Sequence, residues 1–220
     1  MKKLFVLALS ALCFVVLMGL SQWLGAAPLG KSDPKAKALL DKVSQKFKAS
    51  KTLKADFTLQ TIVPDQKNAQ KQTGKIYIKG NKYKITTTEI ERFSDGKTVW
   101  TLFKTEDEVQ VNNVSPTGGE LTPAQFFTMY QKGFTYSIHS NNDKAMEIDL
   151  VPTDKNSSYF KVRLNINKLN NQISAGTVFE KSGVRLSYTL QNQQANTPME
   201  DALFGFNPAK YPDVEVIDLR

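Results

Sequence analysis

Ser94-Asp95-Gly96-Lys97-Thr98-Val99-Trp100 sets the architecture of the whole chain. Asp95-Gly96 is a strong hairpin-turn signal, because glycine takes positive φ at no steric cost. Out of that turn, residues 98–103 rise as a strand with a large apolar side chain on each face. A strand apolar on both faces has to be covered twice, by protein on one side and by protein or ligand on the other.

The same period of two runs outward in both directions. Upstream, Phe57 and Leu59 alternate with Thr58 and Gln60, Ile76 and Ile78 flank Tyr77, and Tyr83 and Ile85 follow a Gly80-Asn81 turn. Downstream, Val109 and Val111 follow the acidic turn Glu106-Asp107-Glu108. Phe134, Tyr136 and Ile138 lead to Asn141-Asn142-Asp143, and Met146, Ile148 and Leu150 come after it. Phe160, Val162, Leu164 and Ile166 alternate up to Asn170-Asn171, and a last hairpin joins residues 173–179 to 184–190 across Ser182-Gly183. This makes about ten or eleven strands on short turns, a largely antiparallel up-and-down sheet.

Three segments leave that pattern. Asp33 is an N-cap, Pro34 fits the first helical position, and Ala36, Leu39, Leu40, Val43 and Phe47 mark one amphipathic helix of roughly four turns. Thr122-Pro123-Ala124-Gln125 is a capping box, predicting a two-turn helix that carries Phe126, Phe127, Met129 and Tyr130 and stops at Gly133. Four large apolar residues on so short a helix must press on the sheet, as core or as a movable lid over an apolar cavity. Leu203-Phe204-Gly205-Phe206 is helical or looped, and residues 214–217 are a final strand. There is no internal repeat and no interdomain linker.

The N-terminus predicts a secretory signal over residues 1–27: Lys2 and Lys3, the apolar run 4–20, then Gly25-Ala26-Ala27, with cleavage between residues 25 and 30; a retained membrane anchor over the same run is the competing reading. Cys13, the one cysteine, lies inside that run, and Leu12 before it is wrong for a lipoprotein anchor. Residues 28–220 are then a single domain with neither thiol nor disulfide, stable by packing alone. The expected compartment is the periplasm. The formal charge falls from +8 to +6 once Lys2 and Lys3 are removed, and the excess is spread rather than clustered. Nucleic acid is therefore not an expected partner.

Catalytic and metal-binding signals are missing. His139, the one histidine, sits in an alternating strand and reads as a surface residue. No Gly-rich phosphate loop, Gly-x-Ser-x-Gly elbow, His-Glu-x-x-His motif or EF-hand spacing occurs, so no enzyme, metal or cofactor is expected. What remains is apolar surface: 13 Phe, 7 Tyr and 2 Trp, and a sheet greasy on both faces in its first half. Such a surplus is doubly covered core or a binding cavity.

At this point the chain resembles the periplasmic outer-membrane lipoprotein carriers of the LolA type. The likeness is carried by Leu39-Leu40-Asp41-Lys42-Val43, Ala55-Asp56-Phe57-Thr58-Leu59-Gln60, Gly74-Lys75-Ile76-Tyr77-Ile78-Lys79, the 94–100 heptad, and Phe204-Gly205-Phe206-Asn207-Pro208 with Val214-Glu215-Val216. The resemblance implies an unclosed antiparallel β-barrel, mainly β with short α-helices, lidded by helices over an apolar cavity. It also implies a monomeric carrier of triacylated lipoproteins, loaded by an inner-membrane ABC transporter and unloaded at an outer-membrane acceptor or the outer membrane itself. Tyr83 falls where the family places an aromatic at the cavity mouth, in contact with the transporter. One departure stands out. Where the family has an arginine followed by proline, tethering the closed lid, this chain has Gly80-Asn81, and the sequence offers no evident substitute.

The expected cavity lining is Phe57, Leu59, Ile76, Ile78, Tyr83, Ile85, Trp100, Leu102, Val109 and Val111, with Phe126, Phe127, Met129 and Tyr130 as the lid. Because one register slip exchanges the faces, Tyr77, Val99 and Phe103 are the alternative set. Two other readings stay open: a carrier of another amphiphile, such as a glycolipid or polyene, on the same fold, and a structural or signalling module with a filled core.

Overall fold

The computed structural model describes residues 32–66, 68–114 and 122–220. The expected signal segment and cleavage site, and Cys13, lie outside them. The one α-helix among the described residues, α1 (Pro34–Ala49), begins as its sequence dictates: Asp33 Oδ1 accepts from the Lys35 and Ala36 N–H groups at 2.7 and 3.2 Å. Its buried stripe of Ala36, Leu39, Leu40 and Val43 has the i, i+3, i+4, i+7 spacing of a helix with one covered face.

Twelve strands form one sheet. The first meander is β1 (Leu53–Ile62), β2 (Gln70–Lys79), β3 (Lys82–Thr87), β4 (Ile90–Ser94), β5 (Thr98–Phe103) and β6 (Glu108–Asn113). The second is β7 (Phe134–Asn141), β8 (Ala145–Pro152), β9 (Tyr159–Asn167), β10 (Gln172–Glu180) and β11 (Arg185–Ala195), and β12 (Glu215–Asp218) ends the chain. The spatial order is β12-β6-β5-β4-β3-β2-β1-β11-β10-β9-β8-β7, so β1 joins β11 and the outer edges stay unpaired with each other. This is the unclosed, mainly antiparallel sheet read from the sequence, with two differences. β4 is an additional strand whose Glu91-Arg92 centre hides it from a hydrophobic-alternation reading. β12 pairs parallel to β6, because the chain reaches that edge by crossing over from the middle of the sheet.

Two long connections therefore cross the sheet, one on each face. Between β6 and β7, residues 122–131 lie over the face that packs on α1, here the inner face: Phe126 meets Tyr188 edge-on at 5.7 Å and Phe127 stacks on Phe47 at 4.2 Å. Between β11 and β12, residues 196–214 run over the outer face. Phe206 packs on Phe93 at 6.2 Å and on Tyr211 at 5.2 Å, and Asp201 clamps Lys79 and Lys82 at 2.8 Å each.

The faces of the two meanders differ. On the inner face of β8 and β9, Met146, Ile148, Leu150, Val162, Leu164 and Ile166 are buried with α1 in one continuous core. Their outer face is charged: Arg163 grips Asp149 at 2.6 and 2.9 Å, with Lys161 at 3.5 Å and the His139 ring at 3.9 Å. In β4–β6 the outer face is apolar instead, and Phe93, Leu102, Val109 and Val111 are buried there together with Phe204.

Candidate functional site

A cavity of about 470 Å³ lies on the inner face of the first meander. Its floor is Leu53, Ala55 and Phe57 from β1, Ile76 and Ile78 from β2, and Tyr83 and Ile85 from β3. Tyr188 and Leu190 of β11 and Ile173 of β10 continue the wall, Pro123, Phe126 and Phe127 roof it, and Arg92, Val99, Asn112, Asn113, Val114 and Thr122 form its rim. β6 and β10, which both contribute, are seven strand spacings apart in the sheet. A flat sheet would separate them by about 34 Å. The sheet is therefore curled around the hollow.

Missing side chains help make the space. Gly74 is the cross-strand partner of Phe57, and a Cβ there would meet the Phe57 ring at 2.8 Å and the Thr86 carbonyl oxygen closer still. Gly176, opposite Tyr188, gives the Phe126 ring its seat, with a Cβ position 3.4 Å from that ring. Two phenyl rings of the cavity wall thus occupy the space that a side chain would take at these glycines.

Five of the ten residues expected to line a cavity do so: Phe57, Ile76, Ile78, Tyr83 and Ile85. Leu59 is on the same face but beyond the hollow, half-buried opposite Tyr188. Trp100, Leu102, Val109 and Val111 are on the outer face, in register with Phe93 and beneath the C-terminal crossing. Of the alternative set, Val99 lines the cavity, Phe103 shares its face, and Tyr77 points outward under Lys54. The physical reason is parity. Tyr83 pairs with Ser94 and Ser94 with Val99, so the turns at 88–89 and 95–97 fix which side chains face in, and alternation alone cannot count across a turn. The lining residues of β10 and β11 were missed because nothing local signals that β11 pairs with β1.

The expected two-turn α-helix at 122–131 is instead two single 3-10 turns, Gln125–Phe127 and Met129–Gln131, broken at Thr128. The capping signal itself is real, since Gln125 Oε1 accepts from the Thr122 N–H at 2.6 Å. The break aims four side chains in different directions, which one α-helical face could not do. Phe126 and Phe127 face the cavity, whereas Met129 and Tyr130 are buried in the α1 core.

Three bonds tie this roof to α1, one of them from Lys48 Nζ to Gln131 Oε1 at 3.2 Å. The Tyr130 hydroxyl donates to Asp41 Oδ1 at 2.8 Å, while Lys37 Nζ holds Asp41 Oδ2 at 2.7 Å. Gln131 Nε2 donates to Ser44 Oγ at 3.2 Å. The Lys37 ammonium first, then the Tyr130 hydroxyl, hold the Asp41 carboxyl below its usual range, and burial pushes the Tyr130 phenol up. Gly80, at φ 58°, lines a second hollow of about 300 Å³ beside Ala124 and Thr128, and a Cβ there would touch nothing within 4 Å. The glycine supplies no tether; α1 does.

A curled, unclosed sheet roofed over an apolar hollow defines a lipid- or lipoprotein-binding carrier fold. The chain belongs to the LolA family, the outer membrane lipoprotein carrier proteins, whose model matches residues 48–207. None of the curated proteins compared matches it. Among solved structures, an uncharacterized conserved protein from Thermus thermophilus is similar at 12 % identity and TM-score 0.53, over 84 % of this chain and 99 % of that one. A LolA superfamily protein from Nitrosomonas europaea is 14 % identical, with a TM-score of 0.44 over 78 % and 97 %. No group of three or more His, Cys, Asp or Glu that could hold a metal occurs among the described residues, and no helix among them is long and apolar enough to cross a membrane.

Proposed function

We propose that this protein is a periplasmic, non-catalytic carrier that shields the acyl chains of triacylated lipoproteins in the roofed cavity. It takes them from an inner-membrane ABC transporter and delivers them to the outer membrane or an acceptor there. The observation that supports this reading is the unfilled apolar hollow on the inner face of the first meander. Phe57, Ile76, Ile78, Tyr83, Ile85 and Val99 would contact the acyl chains, and Phe126 and Phe127 would be displaced by them.

Volume sets a condition on loading. If a methylene takes roughly the 30 Å³ of a water molecule, the closed cavity of about 470 Å³ holds one acyl chain. Three chains, with roughly 40 methylenes, need about 1,200 Å³, so the 122–131 segment must swing away for a triacylated cargo. Energy sets another. Burying 40 methylenes at ~0.8 kcal/mol each gives about 30 kcal/mol, beyond the ~20 kcal/mol at which non-covalent affinity saturates. A cavity cannot extract such a ligand from a bilayer unaided, so an energy-coupled donor must load it.

The one-chain volume also favours a second reading, a carrier for another amphiphile. Native mass spectrometry of the protein isolated from its own periplasm separates the two. A triacylated lipoprotein in the complex is expected, a co-purified glycolipid or polyene would establish the second reading, and a ligand-free protein that takes up no acyl probe would defeat both.

A further inference from the structure

The turn between β9 and β10 carries Leu169, 78 % exposed, the most exposed large apolar side chain among the described residues. Its position is held by the turn. Asn167 Oδ1 accepts from the Leu169 N–H at 2.9 Å, Asn170 Oδ1 accepts from the Gln172 N–H at 3.1 Å, and Asn171 turns the chain at φ 52°. Hydrogen bonds also fix what stands beside it. The Lys168 N–H donates to the Lys144 carbonyl at 2.8 Å, and Lys168 Nζ to the Asn142 carbonyl at 2.6 Å, which docks the β7–β8 turn alongside. Lys46 Nζ donates to the Asn170 carbonyl at 2.8 Å, which brings in the C-terminal half of α1, with the exposed Lys42 one helical turn earlier.

Lys42, Lys46, Lys144 and Lys168 therefore belong to the three segments that meet beside one protruding leucine, and Asp143 is the one carboxylate in the two turns. A single convex tip is too small for a stable protein interface, which needs about 1,000 Å² of matched surface. A bilayer needs no matched surface: its phosphates meet the ammonium groups, and the side chain enters at the boundary between headgroups and acyl chains. We propose that the β7–β8 and β9–β10 turns and the second half of α1 form a docking surface for a bilayer rich in anionic phospholipid, with Leu169 as its wedge. None of these residues lines the cavity, so this proposal and the carrier reading fail separately.

The test is flotation of the mature protein with phosphatidylcholine vesicles, with and without about one third phosphatidylglycerol. Binding is expected only with the anionic lipid and should weaken as salt rises. Leu169→Glu should weaken it about tenfold, and Lys144→Glu about fivefold. Lys42→Glu, on an exposed helix position, should repeat the lysine effect without touching a turn. Leu219→Glu, an equally simple change of an exposed leucine on the far edge of the sheet, should change nothing. Binding to neither vesicle, equal binding to both, or indifference to Leu169→Glu overturns the proposal. So does capture of an acidic polypeptide through these lysines without vesicle binding.

Discussion

The two meanders solve opposite packing problems with the same alternating strands. In β7–β11 much of the inner face is sealed by α1 and the outer face is solvated by charge, as the Asp149 cluster with Arg163 and Lys161 shows. In the first meander the inner face is mainly apolar and the outer face is apolar over β4–β6, whereas β1–β3 carry charge there, as the Asp56–Lys75 pair shows. The apolar outer part is sealed by the chain's own C-terminal crossing, and the inner face is roofed but left hollow. Spare apolar surface is kept where the cover is light. A face sealed by a helix of matched length is core, whereas a face roofed only by two short turns can hold a void and be opened. In the roof, Tyr130 and Gln131 bond to α1 while Phe126 and Phe127 face the void, so the same ten residues are anchored at one end and exposed to the hollow at the other.

A buried charge separates the sealed face from the hollow one most directly. Leu102→Glu would bury a second carboxylate directly opposite Glu91 under the C-terminal crossing, and should cost about 3–5 kcal/mol in urea unfolding. Ile85→Glu, at the cavity, leaves its carboxylate within reach of water. It should cost much less stability and abolish binding of a fluorescent fatty-acyl probe. If Leu102→Glu removed probe binding from a fully stable protein, the assignment of faces would be wrong.

Truncation sharpens the same contrast at a smaller scale. Leu164→Ala, in the sealed core, should lose about 2–5 kcal/mol. Ile76→Ala enlarges a void that already exists, so it should lose less than half as much, measured by denaturant midpoint at unchanged m-value. Equal losses would mean that the hollow is closed by packing in solution.

Smaller still, Tyr130→Phe removes the hydroxyl that holds the roof to the Asp41 carboxylate, a bond worth about 1.5 kcal/mol at its half-exposed site. Probe entry followed by stopped flow should accelerate severalfold with little change in final affinity. An unchanged rate would show that the roof does not open there. The least effect is expected at the outer clasp. The Lys79 and Lys82 hydrogen bonds lower the Asp201 carboxyl to about 2. Because its folded value is depressed, the clasp's contribution is present above the ordinary carboxylate range near pH 4 and is lost as pH falls towards 2. Asp201→Asn should flatten that part of the stability profile, without altering probe binding.

Local chemistry was legible residue by residue. The Asp33 cap, the α1 stripe, the glycine turns at Gly80 and Gly96 and eleven of the strands follow from short-range pattern. β4 was hidden because its middle is Glu91-Arg92: Glu91 is paired with Lys84 at 2.9 Å and Arg92 stands at the cavity rim, so charges occupy both faces of a real strand. The helix predicted at 122–131 became two tight turns because its aromatics have separate destinations, Gly176 and Tyr188 for Phe126 and Phe47 for Phe127.

The sequence by itself determined that this chain is an antiparallel sheet with more apolar surface than one core requires, since period and turn chemistry are local properties. Only the tertiary structure decided which half of that surplus is hollow. The side a residue faces depends on residue counts through turns, on β1 finding β11 more than a hundred residues away, and on two crossings that seal one face and merely roof the other. These are long-range pairings, and no local pattern encodes them.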